Sequence, residues 1–340
     1  MSELAKLLPM ALDLILLTSV VVLAALVLGG HRRATGRNDA RRRVILFIAF
    51  GLLLALLWAS LGAPDVALAE AAIGAGFAGA LLFAATNALP VEAENKVSAA
   101  RHAGPAPVGH GLEWLINFGI AAFAILLLGA LWLSLPALDT DRLGPAVRTV
   151  LPETGVSNPV TAVLLNLRAF DTLLEIAVLL TAALAIRQLG PARAASAAPE
   201  GMLTALVPWL VPALILTAGY LLWVGAHAPG GAFQAGAMLA AAGVVLHLTG
   251  RSGGGLPSPR WQPWALIAAV AVFLAVGLAG LALNGVFLGY RGASASVLIL
   301  LIETAATLGI AAMLISAYLG GDGGGDEAGD EAGQAPGAPR

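Results

Sequence analysis

The chain has 340 residues, 59% apolar and 11% charged, with 18 Lys+Arg against 20 Asp+Glu and a formal charge of −2. A soluble surface needs roughly a quarter to a third of its positions charged, so most of this surface must be solvated by lipid. The charge balance supplies no polycation for nucleic acid, and the lack of cysteine excludes disulfides, thiolate zinc sites, iron–sulfur clusters and cysteine nucleophiles.

A bilayer core about 30 Å thick needs about 20 apolar residues of helix, with every backbone group paired inside its own segment. Nine stretches meet that demand: 7–28, 44–61, 66–85, 114–135, 160–186, 203–224, 230–249, 264–288 and 293–319. The first is as long as a span and is followed by arginines, which marks a retained anchor. The loop 31–43 carries Arg32, Arg33, Arg37, Arg41, Arg42 and Arg43. Together with Lys96, Arg101, Arg187, Arg193, Arg251, Arg260 and Arg340, that side holds 13 basic residues against 4 on the other, namely Lys6, Arg142, Arg148 and Arg291. The excess places the N-terminus outside and the C-terminus in the cytoplasm. The expected fold is therefore all-α and polytopic, with about nine transmembrane helices. Polar stretches at 87–111 and 190–201 divide them 3+2+4, giving units 1–86, 112–190 and 201–320, and the Gly/Ala/Asp/Glu tail 321–340 has too little apolar surface to order itself.

An ionisable side chain at mid-bilayer costs about 2.5–3.5 kcal/mol or more, so each one is a candidate for function. In the third span, Pro64 and Asp65 suit a helix start, where proline loses no hydrogen bond and a carboxylate meets the positive end of the dipole. Glu70 lies about 8 Å deeper, beyond capping reach, and Ala67, Ala71, Ala75 and Gly79 form a small-residue stripe for close helix contact. In the fifth span, spacings of three and four place Arg168, Asp171 and Glu175 on one helical face, where the arginine can pair with Asp171 and Glu175 is left near the midplane. Glu303 sits about ten residues into the last span, close to Thr304 and Thr307, while Asp13 is near enough to its helix end to reach the interface.

Between the sixth and seventh spans runs Gly225-Ala-His227-Ala-Pro229-Gly-Gly-Ala-Phe233-Gln-Ala-Gly236. Pro229 can open a helix, and Gly230 and Gly231 permit positive φ or close backbone approach. The segment reads as a tight re-entry whose free N–H groups suit an ion or a partner group, with His227 beside it. Pro208 and Pro212 should kink the preceding span. Structural alternatives stand beside these readings: a plain helix start for Asp65, an Arg–Asp–Glu set that only fixes register, and a surface position for His227. His227 and His247 are about 30 Å apart along one helix and cannot hold a haem together. With no phosphate loop, paired metal motif or serine elbow, neither a cofactor nor a metal nor an enzyme activity is expected of the chain itself.

The stretch Ala63-Pro-Asp-Val-Ala-Leu-Ala-Glu-Ala-Ala-Ile-Gly74 resembles the three-helix domain at the C-terminal end of the large A component of Mrp (Mnh) multisubunit cation/proton antiporters, also seen as the D component of membrane-bound hydrogenases. Asn158, Pro159, Asn166, Arg168, Phe170, Asp171, Glu175 and Ile176 look like the two-helix E-type segment that follows it, and Pro229 to Gly236 with its four spans resembles the B component. The resemblance runs in the family's order to about Leu319. It implies a cell-membrane assembly related to the membrane arm of respiratory complex I, with large antiporter-like subunits and small helical subunits as partners, and Na⁺ or another monovalent cation and H⁺ as cargo. Glu70 would correspond to the motif glutamate of the D-type domain, and Arg168, Asp171 and Glu175 to the E-type charged face. Three positions depart from the pattern: Asn166 stands in place of a usual Asp, Ala69 in place of a common Thr, and His227 is one residue nearer the proline.

Two functions follow. In one, the buried acids Glu70, Glu175 and Glu303 pass cations, with Arg168 tuning its neighbours by charge. In the other, the chain is a structural connector whose acids only pair helices. A stand-alone solute transporter would need inverted repeats, which the 3+2+4 plan does not show.

Overall fold

The computed structural model describes residues 3–29, 37–88, 140–188, 201–250, 255–290 and 292–320, with short pieces between 118 and 133. The expected span 114–135 lies largely outside the described residues, as do residues 31–36, most of the two linkers and the tail 321–340. Among the described residues there is no strand.

Helices α1 (Glu3–Gly29) and α2 (Arg37–Ser60) pack on each other. The third expected span is a continuous helix with a π-helical middle: α3 (Pro64–Ala69) passes into a π-helical segment, Glu70–Phe77, and then into α4 (Ala78–Ala88). After α5 (Thr140–Val150), the fifth span is broken. A single turn, α6 (Pro159–Ala162), leads into a second π-helical segment, Val163–Leu167, then through Arg168 at φ −130° and ψ 36° into α7 (Ala169–Gln188). Four helices complete the chain: α8 (Gly201–Val224), unbroken through Pro208 and Pro212, α9 (Ala232–Leu248), α10 (Gln262–Asn284) and α11 (Ala293–Leu319).

Six helical stretches among the described residues are long and apolar enough to cross a bilayer: Asp39–Ser60, Pro64–Thr86, Ala169–Gln188, Gly201–Val224, Gln262–Asn284 and Ser294–Leu319. Ala11–Val27 and Ala232–Leu248 are shorter apolar helices. The protein is an all-α, multi-pass membrane protein.

The break in the fifth span corrects one expectation. Arg168 does not share a continuous helical face with Glu175, because it sits at the discontinuity. Carbonyls freed by a π segment need new donors. Thr172 Oγ1 donates to Leu164 O at 2.7 Å, and the Tyr290 hydroxyl donates to Leu165 O. Burial pushes the Tyr290 phenol above its usual range, so it stays protonated and able to donate. Asn166 Nδ2 donates to Thr154 O at 3.3 Å and Tyr290 O at 3.1 Å. A carboxylate at position 166 could not donate these bonds, which gives the Asn166 departure a local reason.

The last helix is the hub. In α11, 67% of the most apolar stretch is buried, against 11–33% for the other five spans, and it packs on α7, α9 and α10. Glycine lets the helices approach closely: a Cβ on Gly309 would lie 2.6 Å from Ala269 Cβ of α10, and one on Gly236 2.8 Å from Ile310 Cγ2. The small-residue stripe of the third span does the same against α2, where a Cβ on Gly51 would lie 2.9 Å from Ala75 Cβ and one on Gly79 would run into Ile48. Arg187 Nη1 ties the far end together, donating to Gln262 Oε1 at 3.0 Å and Ser316 Oγ at 3.3 Å. Replacing Gly309 by Val should therefore force α10 and α11 apart and cost about 1–3 kcal/mol. Thermal unfolding in detergent should show a clear fall in midpoint, and an unchanged midpoint would refute the close packing.

Candidate functional site

The site is built around the turn between α8 and α9. Gly225 N and Gly231 N both donate to Leu221 O, at 3.2 and 2.9 Å, and the backbone folds so tightly that side chains are excluded. A Cβ on Gly225 would lie 2.7 Å from Gly231 Cα, one on Gly230 2.6 Å from Leu221 O, and Gly231 has φ 117°. Gly231 faces Glu303, which is about ten residues inside α11, about 15 Å along its axis. The turn is therefore irregular backbone packed against the inner part of a membrane-length helix, a position tolerated only where protein or a wet cavity pairs its polar groups.

Asn158 supplies much of that pairing. It is 4% exposed, and its Oδ1 caps α6 by accepting from Val160 N at 3.0 Å. Its Nδ2 faces Ala228 O at 3.1 Å, Asp65 Oδ1 at 3.2 Å and Gly225 O at 3.3 Å. Thr161 Oγ1 donates to Gly225 O at 2.6 Å, and the backbone N–H groups of Ser157 and Asn158 both donate to Ala226 O. Asp65, in the first turn of α3, accepts from Gly230 N at 3.4 Å, and its backbone carbonyl accepts from Gln234 Nε2 at 3.3 Å. Three segments distant in sequence are thus fastened at one point.

Beside this knot lies a cavity of about 310 Å³. Its polar lining includes Asp65, Thr161, Thr172, Glu175, Gln234 and Glu303, and its remaining wall is largely apolar. Asp65 is half-buried and Glu175 exposed, whereas Glu303 is only 2% exposed and its Oε2 has no hydrogen-bond partner. Thr307, one turn farther along α11, is 3% exposed and its Oγ1 also lacks a partner. A buried carboxylate oxygen and a buried hydroxyl without partners cost several kcal/mol together (about 1–3 each), so their presence calls for a functional reason.

Other candidates lie elsewhere. Glu70 is half-buried, opens the first π-helical segment and does not line the cavity; its carboxylate lies over Gly74, where a Cβ would collide with it. Arg168 and Asp171 form an ion pair at 2.5 Å with side chains 69% and 42% exposed, outside the cavity. His227 is exposed, with Nδ1 3.0 Å from Ser157 Oγ. Gly230 and Gly231 belong to the site through the backbone. Sequence reasoning missed Asn158, Gln234 and Thr307 as site residues, although an Asn directly before Pro159 is a helix-start signal and Gln234 is a polar residue in an apolar helix.

A family model for MbhD, the D-type component of MBH, matches residues 14–91, and one described as "Domain related to MnhB subunit of Na+/H+ antiporter" matches residues 202–320. These two segments of the chain are therefore similar to components of Mrp/Mnh-type antiporters and of MBH. The two matched segments meet at the site, the first contributing Asp65 and the second the glycine turn, Gln234 and Glu303. Among solved structures, the Mrp complex from Dietzia sp. DQ12-45-1b contains a polypeptide similar to this chain, with a TM-score of 0.65 and 24% identity over 91% of this chain. That likeness shows the fold. The chain spans about a third of the solved polypeptide, 34% of its length. No curated protein matches the chain significantly.

Proposed function

We propose that the chain is a non-catalytic subunit of an Mrp-type antiporter complex in the cell membrane, and that its cavity belongs to the path by which Na⁺ or another monovalent cation is exchanged for H⁺. In this reading large antiporter-like subunits and small helical subunits surround it, its N-terminus lies outside, and the units 1–86, 112–190 and 201–320 act as fused D-, E- and B-like parts. One observation carries the proposal: carboxylates from three different helices, Asp65, Glu175 and Glu303, line one cavity among membrane-length helices. Acids are costly there, and intramembrane acids mark ion and proton pathways. Glu70 extends the path along the first π-helical segment, a backbone feature that recurs at functional sites.

The connector reading draws on a different observation. Asp65 already engages Asn158 and Gly230, as a purely structural residue would. Glu70→Ala and Glu175→Ala separate the two readings. In everted vesicles carrying the whole complex, each should abolish cation-driven proton exchange while complex abundance is maintained. Reduced assembly, with normal transport by whatever complex forms, would establish the connector instead.

A further inference from the structure

We propose that Glu303 and Gln234, facing each other over the bare Cα of Gly231, form a seat for a single monovalent cation. The proposal rests on the ion-path reading and assigns that path a binding station. Two oxygens converge on the space a side chain at 231 would fill: a Cβ there would lie 3.4 Å from Glu303 Oε1 and 3.6 Å from Gln234 Oε1. The orientation of the Gln234 amide is set independently, because its Nε2 donates to Asp65 O at 3.3 Å, which turns the carbonyl oxygen toward the gap. Both oxygens are acceptors, so the space between them suits a positive group. The second carboxylate oxygen, Oε2, is buried without a partner, and so is Thr307 Oγ1, which supplies the next oxygen along the same helical face.

Charge and size fit a monovalent ion. The N-terminus of α9 begins at Gly231 and presents about half a positive charge, so with Glu303 ionised the seat is net negative by about half a charge. One carboxylate with neutral oxygens is a weak set for a divalent ion, and among the described residues no group of three or more His, Asp or Glu side chains is placed to hold one. Gly231 is required for space as well as for its φ of 117°, since a methyl group would enter the seat. Gln234 is thereby the residue that sets affinity, and it also links the seat mechanically to α3.

The test uses everted vesicles carrying the intact complex, with proton exchange read by a pH dye on addition of NaCl or KCl. Gln234→Met removes the amide oxygen at similar volume, and Gln234→Asn withdraws it by about one bond length while keeping the amide, so at least one variant should assemble. The expected result is a rise in the half-saturating NaCl or KCl concentration of about tenfold or more at fixed pH, with the maximal rate changed less. If the salt dependence is unchanged but the pH profile of exchange shifts, Gln234 acts only on protonation of Glu303 and the cation seat is overturned. If neither moves while Glu303→Gln abolishes exchange, the path stands and the seat is overturned. Exchange that survives Glu303→Gln overturns both.

Discussion

Glu303→Gln should abolish cation/proton exchange by the assembled complex and at the same time make the protein more stable. The two effects share one cause. A carboxylate 2% exposed, with an unpartnered oxygen, is costly to keep in the fold, and the isosteric amide is cheaper to bury. The stabilisation should be about 1–2 kcal/mol, visible as a rise in thermal midpoint in detergent. Transport depends on the charge that the amide lacks. At about 4 Å and an effective dielectric constant near 20, a unit charge is worth about 4 kcal/mol to a cation, about three orders of magnitude in occupancy. A lower midpoint with normal exchange would mean that Glu303 is a helix-pairing group, and the connector reading would take over.

Asn158→Ala should have the largest effect on folding. The side chain caps α6 and faces the Gly225 and Ala228 carbonyls and Asp65 Oδ1, all from a buried position. Alanine removes the cap, worth about 1 kcal/mol, and strands acceptors that cost about 1–3 kcal/mol each where no water replaces the donor. The turn between α8 and α9 would lose its main anchor and α3 its fastening to it. We expect the variant to be nearly absent from purified complex, with Asn158→Asp only partly restored, because the carboxylate can still accept from Val160 N but cannot donate. Wild-type abundance and midpoint in Asn158→Ala would show that the knot is dispensable.

How much was legible in the sequence depended on the range of the interactions. Apolar runs of about 20 residues give membrane helices through a local requirement for backbone pairing, and the six membrane-length helices among the described residues fall on such runs. Glu303 stood out because an acid in an apolar helix is costly wherever its neighbours are. The small-residue stripe of the third span was equally local, and it does pack on α2. The expected third span is one continuous helix with a π-helical middle, whereas the fifth is broken at Arg168. Periodicity reads side-chain faces, whereas the second π-helical segment depends on which groups donate hydrogen bonds to its freed carbonyls. Tyr290, more than a hundred residues from Leu165, is one of those groups. Once the helix broke at Arg168, the face expected to unite it with Glu175 no longer existed.

The amino-acid sequence by itself determined a lipid-solvated bundle of helices, the small-residue seams along which they close, and a short set of acids that lipid would not tolerate without cause. Only the tertiary structure decided which of those acids belong together. Asp65, Glu175 and Glu303 meet at one cavity, Glu70 lies over Gly74, and Arg168 with Asp171 pairs outside it. The physical reason is that desolvation cost is a property of each residue and its immediate segment. Pairing, by contrast, is set by how the helices α3, α7, α9 and α11 are brought side by side, and bare glycines and one buried asparagine fix that arrangement.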